Sequence, residues 1–198
     1  LDTSADQRRD FDAFIVSANG ETHTHSFTDW AGGDRVTLAI VFTDVVGSTE
    51  LEFKVGGERM NAVRLAHFKQ GRTLLAAHNG REIKTIGDSF MAAFRTVEEA
   101  LDFAISLRTA PGDAHLRIRA GIHVGAMQVE GNDVFGGPVN FAARVVAAAK
   151  GPEIWLSDRA KEDIDTLRAQ RHSKLKWDWQ TVELKGFPGS FMLWSLKA

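Results

Sequence analysis

The chain has 198 residues, a net charge of -2 and no cysteine. Its length suits one domain with short appendages, and its charge gives no electrostatic case for nucleic acid or an anionic membrane surface. Without cysteine there is no disulfide, thiolate zinc site or cysteine nucleophile, and no apolar stretch approaches the roughly 18 residues of a membrane span.

Residues 1–35 differ from the rest. Residues 14–27 predict a β-hairpin turning at Asn19-Gly20, and Ala31-Gly32-Gly33-Asp34 predicts a linker. A second unit is expected over 36–198. Residues 36–42 are almost continuously apolar, the mark of a central strand buried on both faces. A helix is expected over 58–78, with Met60, Val63, Leu65, Phe68, Leu74 and Leu75 apolar and Asn79-Gly80 ending it. Residues 82–86 and 90–94 predict two strands joined at Gly87-Asp88. Thr96 and Glu99 stand at capping-box spacing before a helix through Leu107.

Residues 116–124 alternate Leu116, Ile118, Ala120, Ile122 and Val124 with Arg117, Arg119 and His123, which predicts a half-buried strand, and residues 126–130 predict its partner. Residues 138–149 predict a helix of small residues, 153–156 a short strand, and Ser157 a cap for a helix through Leu167. Residues 175–183 and 191–196 predict two closing strands. Trp155, Trp177, Trp179 and Trp194 are expected to pack in the core or on an edge strand. The order is β-α-β-β-α-β with a C-terminal extension. This is an α+β fold of the ferredoxin-like, split βαβ type.

Two aspartates end apolar runs where a glycine lets the backbone turn. They are Asp44 in Phe42-Thr43-Asp44-Val45-Val46-Gly47-Ser48-Thr49 and Asp88 in Lys84-Thr85-Ile86-Gly87-Asp88-Ser89-Phe90. Hard divalent cations take such oxygen ligands, and a pair of them can clamp a transferring phosphoryl group. Gly47, Ser48 and Thr49 can aim backbone N–H groups at a polyphosphate, although the P-loop pattern is absent. Lys84 by itself reads as a solvent-facing lysine and Asp133 as a turn residue. Asn140 and Arg144 are four apart on an otherwise apolar helix and share a face, which suits a developing phosphoryl charge. His23 and His25 make too small a set for a metal site.

These segments, with Asp133-Val134-Phe135-Gly136-Gly137-Pro138-Val139-Asn140-Phe141-Ala142-Ala143-Arg144, are similar to the three main blocks of the class III nucleotidyl cyclase catalytic domain. The resemblance implies an adenylate cyclase that converts ATP to 3′,5′-cyclic AMP and pyrophosphate with two divalent cations, Mg²⁺ or Mn²⁺. It implies that Asp44, Asp88 and the backbone carbonyl of Val45 hold the metals. Lys84 and Asp133 would read the base, Asn140 and Arg144 would serve the transition state, and Lys185 would grip the terminal phosphates. It also implies a homodimer, with Asp44 and Asp88 from one chain facing Lys84, Asp133, Asn140 and Arg144 of the other. A cytoplasmic location follows from the need for ATP, and regulatory domains are expected in a longer parent chain.

The base choice has its own chemistry. Adenine offers a donor at its 6-amino group and an acceptor at N1, which suit a carboxylate and an ammonium, whereas guanine reverses both. Two rivals stay open. One is another palm-like nucleotidyl cyclase such as a diguanylate cyclase, although Gly87-Asp88-Ser89-Phe90 lacks the second acid. The other is a nucleotide-binding regulatory module with little or no turnover.

Overall fold

The computed structural model describes residues 26–167 and 172–197. The chain runs as α1 (Phe27–Ala31), β1 (Arg35–Val45), α2 (Ser48–Val55), α3 (Gly57–Ala77), β2 (Arg81–Ile86), β3 (Ser89–Phe94) and α4 (Val97–Thr109). It continues as β4 (Ile118–Glu130), β5 (Asp133–Phe135), α5 (Gly137–Ala148), β6 (Ile154–Ser157), α6 (Asp158–Leu167), β7 (Trp177–Glu183) and β8 (Ser190–Leu196). The strands form one sheet in the order β2-β3-β1-β4-β6-β8-β7, with β5 paired to β4 off that path. β1 lies antiparallel between β3 and β4, so the first four long strands take the ferredoxin-like order. β6 joins β4 in parallel, and the β7–β8 ribbon extends the sheet from there.

Strand alternation assigns the two faces. Ala39, Val41, Ala120 and Ile122 enter a core with Met60 and Val63 of α3, Leu101 and Phe103 of α4, and Ile164 of α6. Leu38, Ile40, Met127 and Val129 enter a second cluster with Ala142 of α5 and Phe27 of α1. α5 lies directly on the backbone of β4. A Cβ on Gly121 would stand 2.2 Å from the Val146 nitrogen, and one on Gly125 would stand 2.7 Å from Pro138 Cγ. Only glycine leaves room for this seating.

Several expectations change. The hairpin expected over 14–27 falls outside the described residues except at its end. There Ser26 caps α1, accepting a hydrogen bond from the Asp29 nitrogen, so Phe27 is helical. His23 and His25 also lie outside the described residues. α2 was not expected. Leu65 is 63% exposed, because the packed stripe of α3 carries Met60, Val63, His67, Gly71 and Leu75, and Leu65 is turned well away from it. Residues 126–130 are not a separate partner strand but the continuation of β4. Over residues 118–125 β4 is covered on both faces rather than half-buried, because α5 closes the face that carries Arg119 and His123, while Ala126, Gln128 and Glu130 further along are exposed. Trp155 is buried and Trp177 and Trp194 pack against the first core, but Trp179 is 57% exposed on the edge strand β7.

Candidate active site

Asp44 lies one residue before the end of β1, directly across the ladder from Arg119 of β4. Its Oδ2 accepts from Arg119 Nε at 2.7 Å and also from Arg119 Nη2. Its Oδ1 accepts from the Ser89 hydroxyl at 3.1 Å. Ser89 opens β3, so three adjacent strands meet at one carboxylate. The local cause is Thr43. The backbone pairing of β1 with β3 ends at Phe42–Met91, and the buried Thr43 hydroxyl then accepts from the Phe90 nitrogen at 3.0 Å. That bond draws the turn carrying Asp88 toward the end of β1.

Asp88 is half-buried in the tight turn between β2 and β3. Behind it stands His67 of α3, which is buried and packs edge-on against Phe90 at 5.4 Å. His67 Nδ1 bonds the Pro111 carbonyl at 3.0 Å, which requires the proton on that nitrogen. Burial lowers the His67 pKa, and the Pro111 hydrogen bond and the charge of Asp88 oppose that shift. Gly47, at φ 71, precedes Ser48 and Thr49, which open α2 immediately after the Asp44 strand.

Lys84 Nζ contacts Asp133 Oδ2 at 2.6 Å, while Asp133 Oδ1 accepts from the Val134 nitrogen at 2.9 Å. The pair forms because β2 and β5 both border the second cluster, where Ile83 and Val134 pack. Asn140 and Arg144 stand exposed on α5, opposite its buried residues Ala142, Val145 and Val146. Neither side chain makes a hydrogen bond among the described residues. Lys185 lines a surface cavity with Glu183, Leu184, Phe187 and Gly189 between β7 and β8.

A family model described as the adenylate and guanylate cyclase catalytic domain matches residues 33–198. The chain belongs to this family. An uncharacterized protein of Mycobacterium tuberculosis is 32% identical over 164 residues, covering 81% of this chain and 41% of that protein. An adenylate cyclase of Streptomyces coelicolor is 30% identical over 133 residues, covering 66% of this chain and 35% of that protein. This cyclase chain thus spans less than half the length of these curated relatives. The crystal structure of the adenylyl cyclase CyaB from P. aeruginosa superposes with a TM-score of 0.71 at 21% identity, covering 83% of this chain and 95% of that one. The α+β fold read from the element order is therefore the cyclase catalytic fold.

Geometry adds two residues to the cyclase site that sequence reading missed, Ser89 and Arg119. Arg119 reads as a solvent-side residue in an alternating strand. The signal against that reading is Gly121 and Gly125 on the same strand face, which leave a groove for a helix. The oxygen donors suit a hard cation. Among the described residues Asp44 Oδ1 accepts only the Ser89 hydroxyl and keeps free lone pairs, and the Asp88 carboxylate makes no hydrogen bond. No group of three or more His, Asp or Glu side chains converges among the described residues. No helix among the described residues is long and apolar enough to cross a membrane.

Proposed function

We propose that this cyclase domain is an adenylate cyclase, converting ATP to 3′,5′-cyclic AMP and pyrophosphate at sites shared by two copies of the chain. The observation that carries the choice of base is the Lys84–Asp133 contact at 2.6 Å. It puts one ammonium and one carboxylate side by side, at a separation suited to the N1 and 6-amino edge of adenine. Guanine would meet a donor with its own donor and an acceptor with its own acceptor, and such mismatches are strongly rejected.

Chain geometry supports the two-copy site. Ala149, which ends α5, shares the Arg119 guanidinium with Asp44. Asn140 is nine residues earlier, about 13 Å back along the helix axis. It stands on the exposed face, so one chain's Asn140 suits a second chain's Asp44 better than its own. We assign residues 36–198 to the catalytic unit and 1–35 to a segment that leads into it.

In this reading Asp44, Asp88 and the Val45 carbonyl hold two divalent cations, Mg²⁺ or Mn²⁺, whose chemistry is to acidify the 3′-hydroxyl and neutralise the phosphates. Gly47, Ser48 and Thr49 present backbone N–H groups to the triphosphate from the start of α2, and Lys185 supplies a cation to its far end. Lys84 donates to N1 and Asp133 accepts from the 6-amino group. As the 3′-oxygen bonds to the α-phosphorus, the bond to pyrophosphate breaks and the hydroxyl proton passes to a phosphate oxygen or water. Arg144 meets the charge that develops at the α-phosphorus, and Asn140 fixes the ribose.

The test is a product assay with ATP and GTP, each with Mg²⁺ and with Mn²⁺. Cyclic AMP should dominate. Preferential cyclic GMP formation would overturn the base assignment, and no product from either nucleotide would favour a binding module without turnover.

A further inference from the structure

We infer that Arg119 is a positioning residue that ties each active site of the dimer to the helix serving the other site, an inference that rests on the two-copy reading above. The guanidinium makes three bonds in two directions. Nε and Nη2 donate to Asp44 Oδ2, and Nη1 donates to the Ala149 carbonyl at 2.8 Å. Ala149 is the C-cap of α5, where backbone carbonyls lack partners within the helix. A planar, always-charged group with fixed donor directions cannot shift toward one partner without loosening the other.

The seating of α5 makes this tie consequential. Gly121 and Gly125 put β4 backbone against Val146 and Pro138 with no side chain between them. His123 adds a ring contact to Phe141 at 4.5 Å. The helix therefore rests on a hard surface and is held at its end by Arg119. Asn140 and Arg144 are nine and five residues before that end, on the face turned away from the sheet. In the two-copy site they act on nucleotide held by the other chain's Asp44. One guanidinium thus orients a metal carboxylate in its own site and fixes the angle from which transition-state groups enter the neighbouring one.

Heterodimers separate these two roles. A chain carrying Asp88→Ala keeps Asp44 and Arg119 together but lacks a metal carboxylate. Paired with an Asn140→Ala chain under two affinity tags, it leaves one site with both defects and one with every wild-type group. That heterodimer should be active with ATP; if it is not, the two-copy reading fails and this inference falls with it. Arg119→Gln is then added to the Asp88→Ala chain only. The altered Arg119 lies in the doubly defective site, while its own α5 serves the intact one.

The expected result is a fall in kcat of the intact site on the order of 10-fold, with KM for ATP unchanged within about two-fold. Arg119→Lys, which keeps the charge but replaces the rigid fork with a single ammonium on a flexible stem, should show the same pattern and guards against loss of folding by the glutamine variant. Amide exchange in the last turn of α5 should quicken in the Arg119→Lys homodimer without nucleotide. Unchanged kcat in a folded heterodimer, or unchanged exchange in that turn, overturns the inference. So does an effect confined to heterodimers in which Arg119 is altered on the Asn140→Ala chain.

Discussion

Asp44 and the pair Asn140–Arg144 stand on neighbouring elements but in opposite conditions. Asp44 is held by its own chain, with Ser89 on one oxygen and Arg119 on the other. The Asn140 and Arg144 side chains lie exposed on α5 and bond nothing among the described residues. The first is preorganised, its ordering cost already met during folding. The second is a polar stripe on a helix whose other side is firmly docked. The contrast fits the proposed two-copy site, of which one chain builds half, with an amide and a guanidinium on an open helix face.

The harshest way to break that contrast is to remove one half at a time. Asp44→Ala or Asp88→Ala should lower cyclic AMP formation by at least about 10³-fold, the scale set by losing several kcal/mol of charge stabilisation. Asn140→Ala should cost about 10²-fold, as for other positioned transition-state donors. Mixed after subunit exchange, Asp44→Ala and Asn140→Ala chains should recover up to about a quarter of wild-type activity, because half the dimers are mixed and each has one intact site. Recovery is read as cyclic AMP formed per total protein. No recovery despite demonstrated exchange would place both halves within one chain and erase the distinction.

A smaller effect sharpens the comparison at the base-reading pair, which is tied within the chain yet half exposed. Lys84→Glu combined with Asp133→Cys should lower the ATP/GTP ratio of kcat/KM by on the order of 10², since mismatched polar groups no longer reject guanine. Thermal stability should change little, because an exposed ion pair contributes about 0–1 kcal/mol. A double variant that stays dimeric with an unchanged ratio would remove Lys84 and Asp133 from base selection.

The smallest effect concerns the underside of α5. Burial, reinforced by Arg159, lowers the His123 pKa from 6.5 to about 4. Its ring contacts Phe141 at a tilt of 38°, and its Nδ1 bonds the Ser157 hydroxyl at 2.8 Å. The folded state therefore binds the proton less readily than the unfolded chain. The stability due to neutral His123 is complete above pH 6.5 and is lost as pH falls toward about 4. After discounting for partial exposure, the loss should be on the order of 1–2 kcal/mol. It can be followed as Tm against pH, and His123→Asn should flatten the slope in that window. Because His123 lies beneath α5, acid should loosen the Asn140–Arg144 helix before it disturbs Asp44. A slope unchanged by the substitution would assign the acid sensitivity elsewhere, for instance to His67, whose lowered pKa acts in the same direction.

Much of this was legible in one dimension because the chemistry is local. The continuous apolar run of β1 ends at Asp44, the short turn between two strands presents Asp88, and four-residue spacing puts Asn140 and Arg144 on one helix face. The less legible features depend on contacts distant in sequence. Arg119 and His123 were read as a wet strand face, because alternation reports only that one face is polar and not what covers it. β5 hid in a segment that reads as a turn, since three residues carry too little pattern to declare a strand. Leu65 was assigned to a packed face by apolarity, although its angular position on α3 turns it outward.

The sequence by itself determined the order of elements, the ferredoxin-like arrangement and the residue types able to hold metal, phosphate and base. The first two follow from spacing along the chain, where the periods of strand and helix leave few alternatives, and the residue set follows from similarity to the cyclase sequence blocks. Only the tertiary structure decided that Lys84 meets Asp133, which is 49 residues away, and that Arg119 joins Asp44 to the end of α5. Those meetings depend on how the sheet twists and on how closely a helix can settle over Gly121 and Gly125. Both are properties of packing in three dimensions that no local pattern encodes.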